Sequence, residues 1–233
     1  MDKNKNAIKS LHDIAESDMS ETEFLQAIEN NMIPLKEFFT YYKCAIMEIE
    51  TKFRVLNEQF SINGESNPIE FIQSRIKSYG SIFRKMTAKN VQPSLYEIEK
   101  NVSDIAGIRV VCSFVQDIYH LADCFLRQDD IFLIEKKDYI KNPKPNGYRS
   151  LHLIVEVPIF LENEKRLVKA EVQLRTIAMD FWASLEHKLR YKKNLSQNML
   201  DMLTDDLKKC ADQSAEWDIR MQNIKNIIES DQE

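Results

Sequence analysis

Apolar residues recur along two stretches of this chain in unbroken steps of four and three. The first runs Leu35, Phe39, Tyr42, Ile46, Ile49, Phe53, Leu56 and Phe60. It predicts a long helix opened by Pro34 and ended near Asn63-Gly64, with a heptad-like seam along one side. The second runs Leu203, Leu207, Cys210, Ser214, Trp217, Met221, Ile224 and Ile228, with Ser214 its one polar member. Two readings stay open for these helices: each packs on its own domain, or they pair with each other or with another subunit. Both seams are long relative to the core between them, so each is expected to stay partly exposed in a monomer and to favour an oligomer.

Between the seams the pattern alternates between helix and strand. Ser20 to Glu23 reads as a capping box opening a short helix. Asn67-Pro68 reads as a cap and first-turn proline, predicting a helix through about Ser78 and another through about Lys89. Ser94 to Glu97 is a second capping box. Strands are predicted at Ile105 to Phe114 and Ile131 to Lys136, with a helix over 116–128 between them. Arg149 to Val157 and Leu167 to Arg175 form a hairpin across the polar 161–166 loop, and a helix follows from Thr176 to about Tyr191. The expected fold is α+β: a mixed sheet flanked by helices, with long N- and C-terminal helices.

Composition adds exclusions. With 233 residues and a net charge of −5, the chain has room for one core plus helical extensions and is no general nucleic-acid binder, so no DNA partner is expected. No apolar run approaches the roughly 20 residues of a membrane helix. The N-terminus MDKNKNAIKS lacks a signal peptide's apolar core, which points to the cytoplasm. Cys44, Cys112, Cys124 and Cys210 are scattered without a CxxC pair, which argues against a zinc site or a disulfide framework.

Candidate chemistry concentrates in three places. Arg75, Lys77, Arg84 and Lys85 gather positive charge in an acidic protein, as a polyphosphate site requires; a solvated helix face is the plainer alternative. After the Lys144-Pro-Asn-Gly turn, Tyr148, Arg149 and His152 set a ring, a guanidinium and an imidazole at the start of a strand. Glu171 and Gln173 share one face of the next strand, because strand side chains alternate, and Glu171 is a carboxylate within an otherwise apolar run.

The stretches RIKSYGSIFRK, DIAGIRVVCSF, NGYRSLH, EVQLRT and DFWASLEH, in that order between about Asn67 and Lys193, resemble the synthetase domain of the RelA/SpoT alarmone enzymes. The chain is most similar to their small, single-domain members. The resemblance implies a nucleotidyltransferase-like sheet at 67–193, between helical extensions at 1–66 and 194–233. It also implies transfer of pyrophosphate from ATP to the ribose 3′-hydroxyl of GDP or GTP. By the same resemblance Lys77, Ser81 and Lys85 contact the ATP phosphates, with Arg84 of the basic cluster completing the grip, and Arg75 and Arg109 stack on adenine. Asp104 would hold Mg²⁺ with Glu171 close by, and Glu171 would be the general base. The acceptor pocket would be Lys137, Lys144, Tyr148, His152, Gln173 and Asp180, with Tyr148 stacked on guanine. Some relatives carry Asn at the place of Asp180 and Arg at that of Lys137. The resemblance further implies a closed homo-oligomer, a tetramer; a regulatory nucleotide or RNA is left open. His12-Asp13 repeats the dipeptide of alarmone hydrolases but stands apart from the other histidines, so synthesis alone is expected. The rival reading is a catalytically silent nucleotide or RNA sensor on the same fold.

Overall fold

A computed structural model of the chain describes residues 32–62, 67–91, 94–190 and 197–231. Helix α1 (Met32–Ile62) leads to strand β1 (Ile69–Ile76), helices α2 (Tyr79–Ala88) and α3 (Leu95–Asn101), strand β2 (Ala106–Cys112) and helix α4 (Val115–Leu126). Strands β3 (Phe132–Asp138), β4 (Leu151–Phe160) and β5 (Lys165–Thr176) follow, then helices α5 (Ile177–Arg190) and α6 (Gln197–Ser230). The strands make one five-stranded sheet in the order β1-β2-β5-β4-β3. The α+β expectation holds, and the β4–β5 hairpin falls where the sequence predicts it. The capping box at Ser20 and the His12-Asp13 dipeptide lie outside the described residues.

One predicted helix is a strand. Ile69, Ile72 and Ile76 stand at helical spacing after Asn67-Pro68, yet Ile69–Ile76 is the edge strand beside β2. Its β-branched and aromatic residues suit a pleated edge, and pairing with a neighbouring strand outweighs a three-four spacing that spans only two turns. At the other predicted capping box the N-cap half forms: the Ser94 hydroxyl accepts from the Glu97 N–H at 3.1 Å and opens α3, while the Glu97 carboxylate accepts from Asn101 at 2.8 Å.

The described residues fall into two compact units. The first takes 32–49, Ser74–Ile108 and Ile154–Glu171; the second takes Glu50–Gln73, Arg109–Leu153 and the residues from Val172 onward. In the first, Phe39 meets Tyr79 edge to face at 4.7 Å between ring centroids, and Arg166 pairs with Glu99 at 3.0 Å. In the second, Phe53 stacks on Phe125 at 4.5 Å.

The two heptad-like helices end up differently. On α1, seven of the eight seam residues, from Phe39 to Phe60, are buried within the chain, so the expectation that this seam waits for another subunit is overturned. Helix α6 is docked by its polar side instead. Ala211, Ser214, Asp218 and Gln222 are buried, while Trp217 (55% exposed), Met221, Ile224 and Ile228 face outward. Buried polar groups need partners, and these have them. The Thr176 hydroxyl donates to Asp218 Oδ2 at 2.7 Å, Gln222 exchanges hydrogen bonds with Gln116, and Lys225 pairs with Asp117 at 3.2 Å. Burial pushes the Asp218 carboxyl up to about 6, although the Thr176 hydroxyl and the Arg149 charge pull it down.

Candidate active site

In the first unit a carboxylate sits between two lysines. The Lys77 N–H donates to the Ile105 carbonyl at 2.8 Å, which pins the end of β1 beside the loop that carries Asp104 into β2. Lys77 Nζ then reaches Asp104 Oδ2 at 2.9 Å, and Lys85 Nζ, from the second turn of α2, reaches Oδ1 at 2.9 Å. Burial alone would raise the Asp104 carboxyl; the hydrogen bonds and charges of Lys85 and Lys77 outweigh it and hold the group below the ordinary carboxylate range. Just before Lys85, Arg84 donates to the Ser81 hydroxyl of the first turn at 3.1 Å, and Ser78 donates to the same oxygen at 2.9 Å. The exposed Arg75 side chain crosses Gly107, its Cγ 3.7 Å from where a β-carbon there would lie. This is a cationic surface with one anion held in it.

Strand β5 presents alternating faces. Val168, Ala170, Val172 and Leu174 are buried, and Lys169, Glu171 and Gln173 are half-buried on the other side. The predicted pairing of Glu171 with Gln173 on one face is therefore present, and Arg175 continues that face inward.

In the second unit, aromatic and guanidinium groups are built into one another. The turn before Tyr148 closes with the Gly147 N–H on the Lys144 carbonyl at 2.8 Å, and the Lys144 N–H returns to the Tyr148 carbonyl at 3.1 Å. Gly147 has φ +89°, and a β-carbon there would lie 2.6 Å from the Ala211 β-carbon of α6, so both backbone and neighbour demand glycine. The Tyr148 hydroxyl lies 2.8 Å from His152 Nε2 and accepts from Arg175 at 2.7 Å. Arg175 also donates to Gln173 Oε1 at 2.9 Å and to Asp180 Oδ1 at 3.1 Å. Arg109 meets the same Asp180 oxygen at 3.1 Å. Lys144 Nζ stands over the rings of Tyr139 and Tyr148, at 4.6 and 4.8 Å from their centroids.

Lys77, Lys85 and Asp104 thus come together in the first unit, and Lys144, Tyr148, His152, Gln173 and Asp180 in the second. Arg109, expected on the adenine, is ion-paired with a residue expected on the guanine. Lys137 lies on β3 and pairs with Glu135 of its own strand at 2.8 Å, apart from the tyrosine network. Two members were missed by sequence reasoning: Tyr139 carries no spacing signal, whereas Arg175 shares the period-two face that singled out Glu171. Among the described residues, no group of three His, Cys, Asp or Glu forms a metal cage, and no helix is long and apolar enough to cross a membrane.

Comparison with known proteins places the chain in a family. The family described as the region found in RelA / SpoT proteins matches residues 74–196. The chain is 44% identical over 188 residues to the GTP pyrophosphokinase YwaC of Bacillus subtilis, covering 81% of this chain and 89% of that one. It is also similar to two crystal structures from Bacillus subtilis. One, small alarmone synthetase 2, has a TM-score of 0.70 and 45% identity, with 79% of this chain and 95% of that one covered. The other, small alarmone synthetase 1 bound to its product pppGpp, has a TM-score of 0.75 and 31% identity, with 84% and 98% covered.

Proposed function

The chain belongs to the RelA/SpoT family, and from that premise we infer that it is a GTP pyrophosphokinase. It moves the β,γ-pyrophosphate of ATP to the ribose 3′-hydroxyl of GDP or GTP, releasing AMP and giving the (p)ppGpp alarmones of the stringent response. The observation that carries this reading is Asp104, kept anionic between Lys77 and Lys85 in a chain this close to a GTP pyrophosphokinase. A module that only binds nucleotides has no need of such an acid.

Lys77, Ser81, Arg84 and Lys85 take the ATP phosphates; the two lysines exchange their bonds to Asp104 for phosphate oxygens when the nucleotide arrives. Arg75 and Arg109 stack on adenine. The donor set fits Mg²⁺, a hard ion satisfied by one or two carboxylates with phosphate and water oxygens, and Asp104 and Glu171 would hold it. Bound there, it would neutralise charge on the polyphosphate. Tyr148 stacks on guanine, Asp180 accepts from its N–H groups, and Lys144 and His152 face the acceptor phosphates, with Gln173 and Lys137 completing the pocket. Glu171 takes the proton of the 3′-hydroxyl, the oxygen attacks the β-phosphorus of ATP, and the bond to the α-phosphate oxygen breaks to leave AMP. Position and charge do most of the work in such a transfer. The catalytic segment is 67–193, between helical extensions at 1–66 and 194–233, and the enzyme acts in the cytoplasm.

The outward apolar side of α6 supports a closed homo-oligomer, a tetramer. Trp217, Met221, Ile224 and Ile228 lie opposite the docked polar face, and an exposed stripe of that kind marks an interface. Trp217→Asp should lower the mass seen by light scattering without unfolding the chain; a monomeric wild type at micromolar concentration contradicts the assembly.

Mass analysis of a reaction of ATP, GDP or GTP, and Mg²⁺ tests the activity. One AMP per guanosine 3′-diphosphate product supports it, and binding without turnover would mark a sensor instead.

A further inference from the structure

We propose that Arg175 is the positioning residue of the acceptor pocket, setting Tyr148, Gln173 and Asp180 in place before the guanine nucleotide arrives. This rests on the reading of those residues as the acceptor side of a GTP pyrophosphokinase. Arg175 is 4% exposed, so it is not available to a nucleotide itself. Its two terminal nitrogens are spent on the pocket: one on Asp180 Oδ1 at 3.1 Å, the other on the Tyr148 hydroxyl at 2.7 Å and Gln173 Oε1 at 2.9 Å. The guanidinium carbon also lies 5.1 Å from the centroid of the Tyr148 ring. The planar fork of an arginine fixes several acceptors in one geometry, which an ammonium does not.

The direction of these bonds matters. The Tyr148 oxygen accepts from Arg175, which leaves its own proton for Nε2 of His152 at 2.8 Å. One buried cation therefore orients the ring, its hydroxyl and, through it, the imidazole. Asp180 Oδ1 is shared between Arg175 and Arg109, each at 3.1 Å, so the carboxylate is held by two guanidinium groups. The Nε of Arg175 is buried with no hydrogen-bond partner among the described residues.

The test is steady-state kinetics of the full chain with Arg175→Lys, Tyr148→Phe and the double variant, alongside thermal unfolding and calorimetric GDP binding. Arg175→Lys keeps the charge and loses the fork; it should raise the acceptor KM about tenfold, the size of one charge-assisted hydrogen bond, with ATP KM within ~twofold. Tyr148→Phe removes the link from its other end without touching the buried charge. The double variant should be no worse than the worse single one, since both cut one connection. A residue of purely structural role would instead lower the melting temperature and kcat together and leave acceptor KM where it was, and that result overturns the proposal. If Arg175→Lys does not fold, an unchanged acceptor KM in Tyr148→Phe overturns it equally. A wild type that binds GDP but transfers nothing refutes the enzyme reading alone, provided that Arg175→Lys still weakens GDP binding. A wild type that does not bind GDP refutes both.

Discussion

The donor-side cluster and the acceptor-side cluster solve different problems with the same residue types. Around Asp104 the cations are partly exposed lysines, each making one bond to the acid. Around Tyr148 the cation is a buried arginine whose bonds run to three side chains at once. Lysine suits a site that must let go of one anion and take up another; arginine suits a site that must already have its shape. The carboxylates differ in the same way. The charges of Lys85 and Lys77 overcome burial and hold Asp104 down, whereas burial wins at Asp218, on the helix behind the acceptor turn, and its carboxyl rises to about 6.

The largest effect expected from this contrast is chemical. Asp104→Asn and Glu171→Gln keep size and remove charge, so each should cost two to four orders of magnitude in turnover, roughly the worth of a placed electrostatic group, in a protein that still folds. Near-normal rates in either variant would remove that residue from the mechanism.

Next come the variants that separate the clusters. Lys77→Ala and Lys85→Ala should raise the KM for ATP and spare the acceptor. Tyr148→Ala should do the reverse, by about 1–3 kcal/mol for one lost base stack. An ATP-selective defect in Tyr148→Ala would invert the two assignments.

The smallest effect is a stability one, and its sign follows from the carboxyl shifts. Asp218 binds its proton more tightly folded than unfolded, so its contribution to stability is most favourable in acid and is lost as pH rises from the model-peptide value of 3.8 through about 6. Asp218→Asn keeps an acceptor for Thr176 and removes the charge. It should stabilise the protein by about 2 kcal/mol at pH 7.5, with the gain fading towards pH 4. Asp104 runs the other way: its contribution is present at neutral pH and is lost only as pH falls below the ordinary 3.8 of a carboxylate. Melting curves of wild type and Asp218→Asn across that range check both slopes.

Much of this was legible in the residues, and the failures have physical causes. The period-two run of β5 placed Glu171 and Gln173 on one face because alternation is a property of any strand. Arg175 belongs to the same run, but its role depends on Tyr148, far back in the sequence, and on Asp180 in the following helix, so the period of the strand does not mark it. The three-four steps of α1 and α6 correctly predicted two long helices. They did not tell which side is covered: Phe53 is fully buried, whereas Trp217 at the equivalent kind of position is 55% exposed. Helix α6 docks through Ser214, the polar member of the seam, and through Asp218 and Gln222, whose partners Thr176 and Gln116 lie far away in the sequence. Ile69–Ile76 misled because Asn67-Pro68 has the form of a helix cap and first-turn proline, while the pairing with β2 that makes the segment a strand is not a local signal.

The central claim is that one chain carries a pyrophosphate from ATP to a guanine nucleotide. Its most direct test is transfer of label from ATP carrying ³²P at the γ-phosphate, with GDP as acceptor and Mg²⁺ present, in the wild type and in Glu171→Gln. The account predicts label in a guanosine product bearing a new 3′-diphosphate, AMP in equal amount, and near-complete loss of both in the variant. Label in free phosphate with ADP as the second product, or no transfer by a folded wild type, would contradict it.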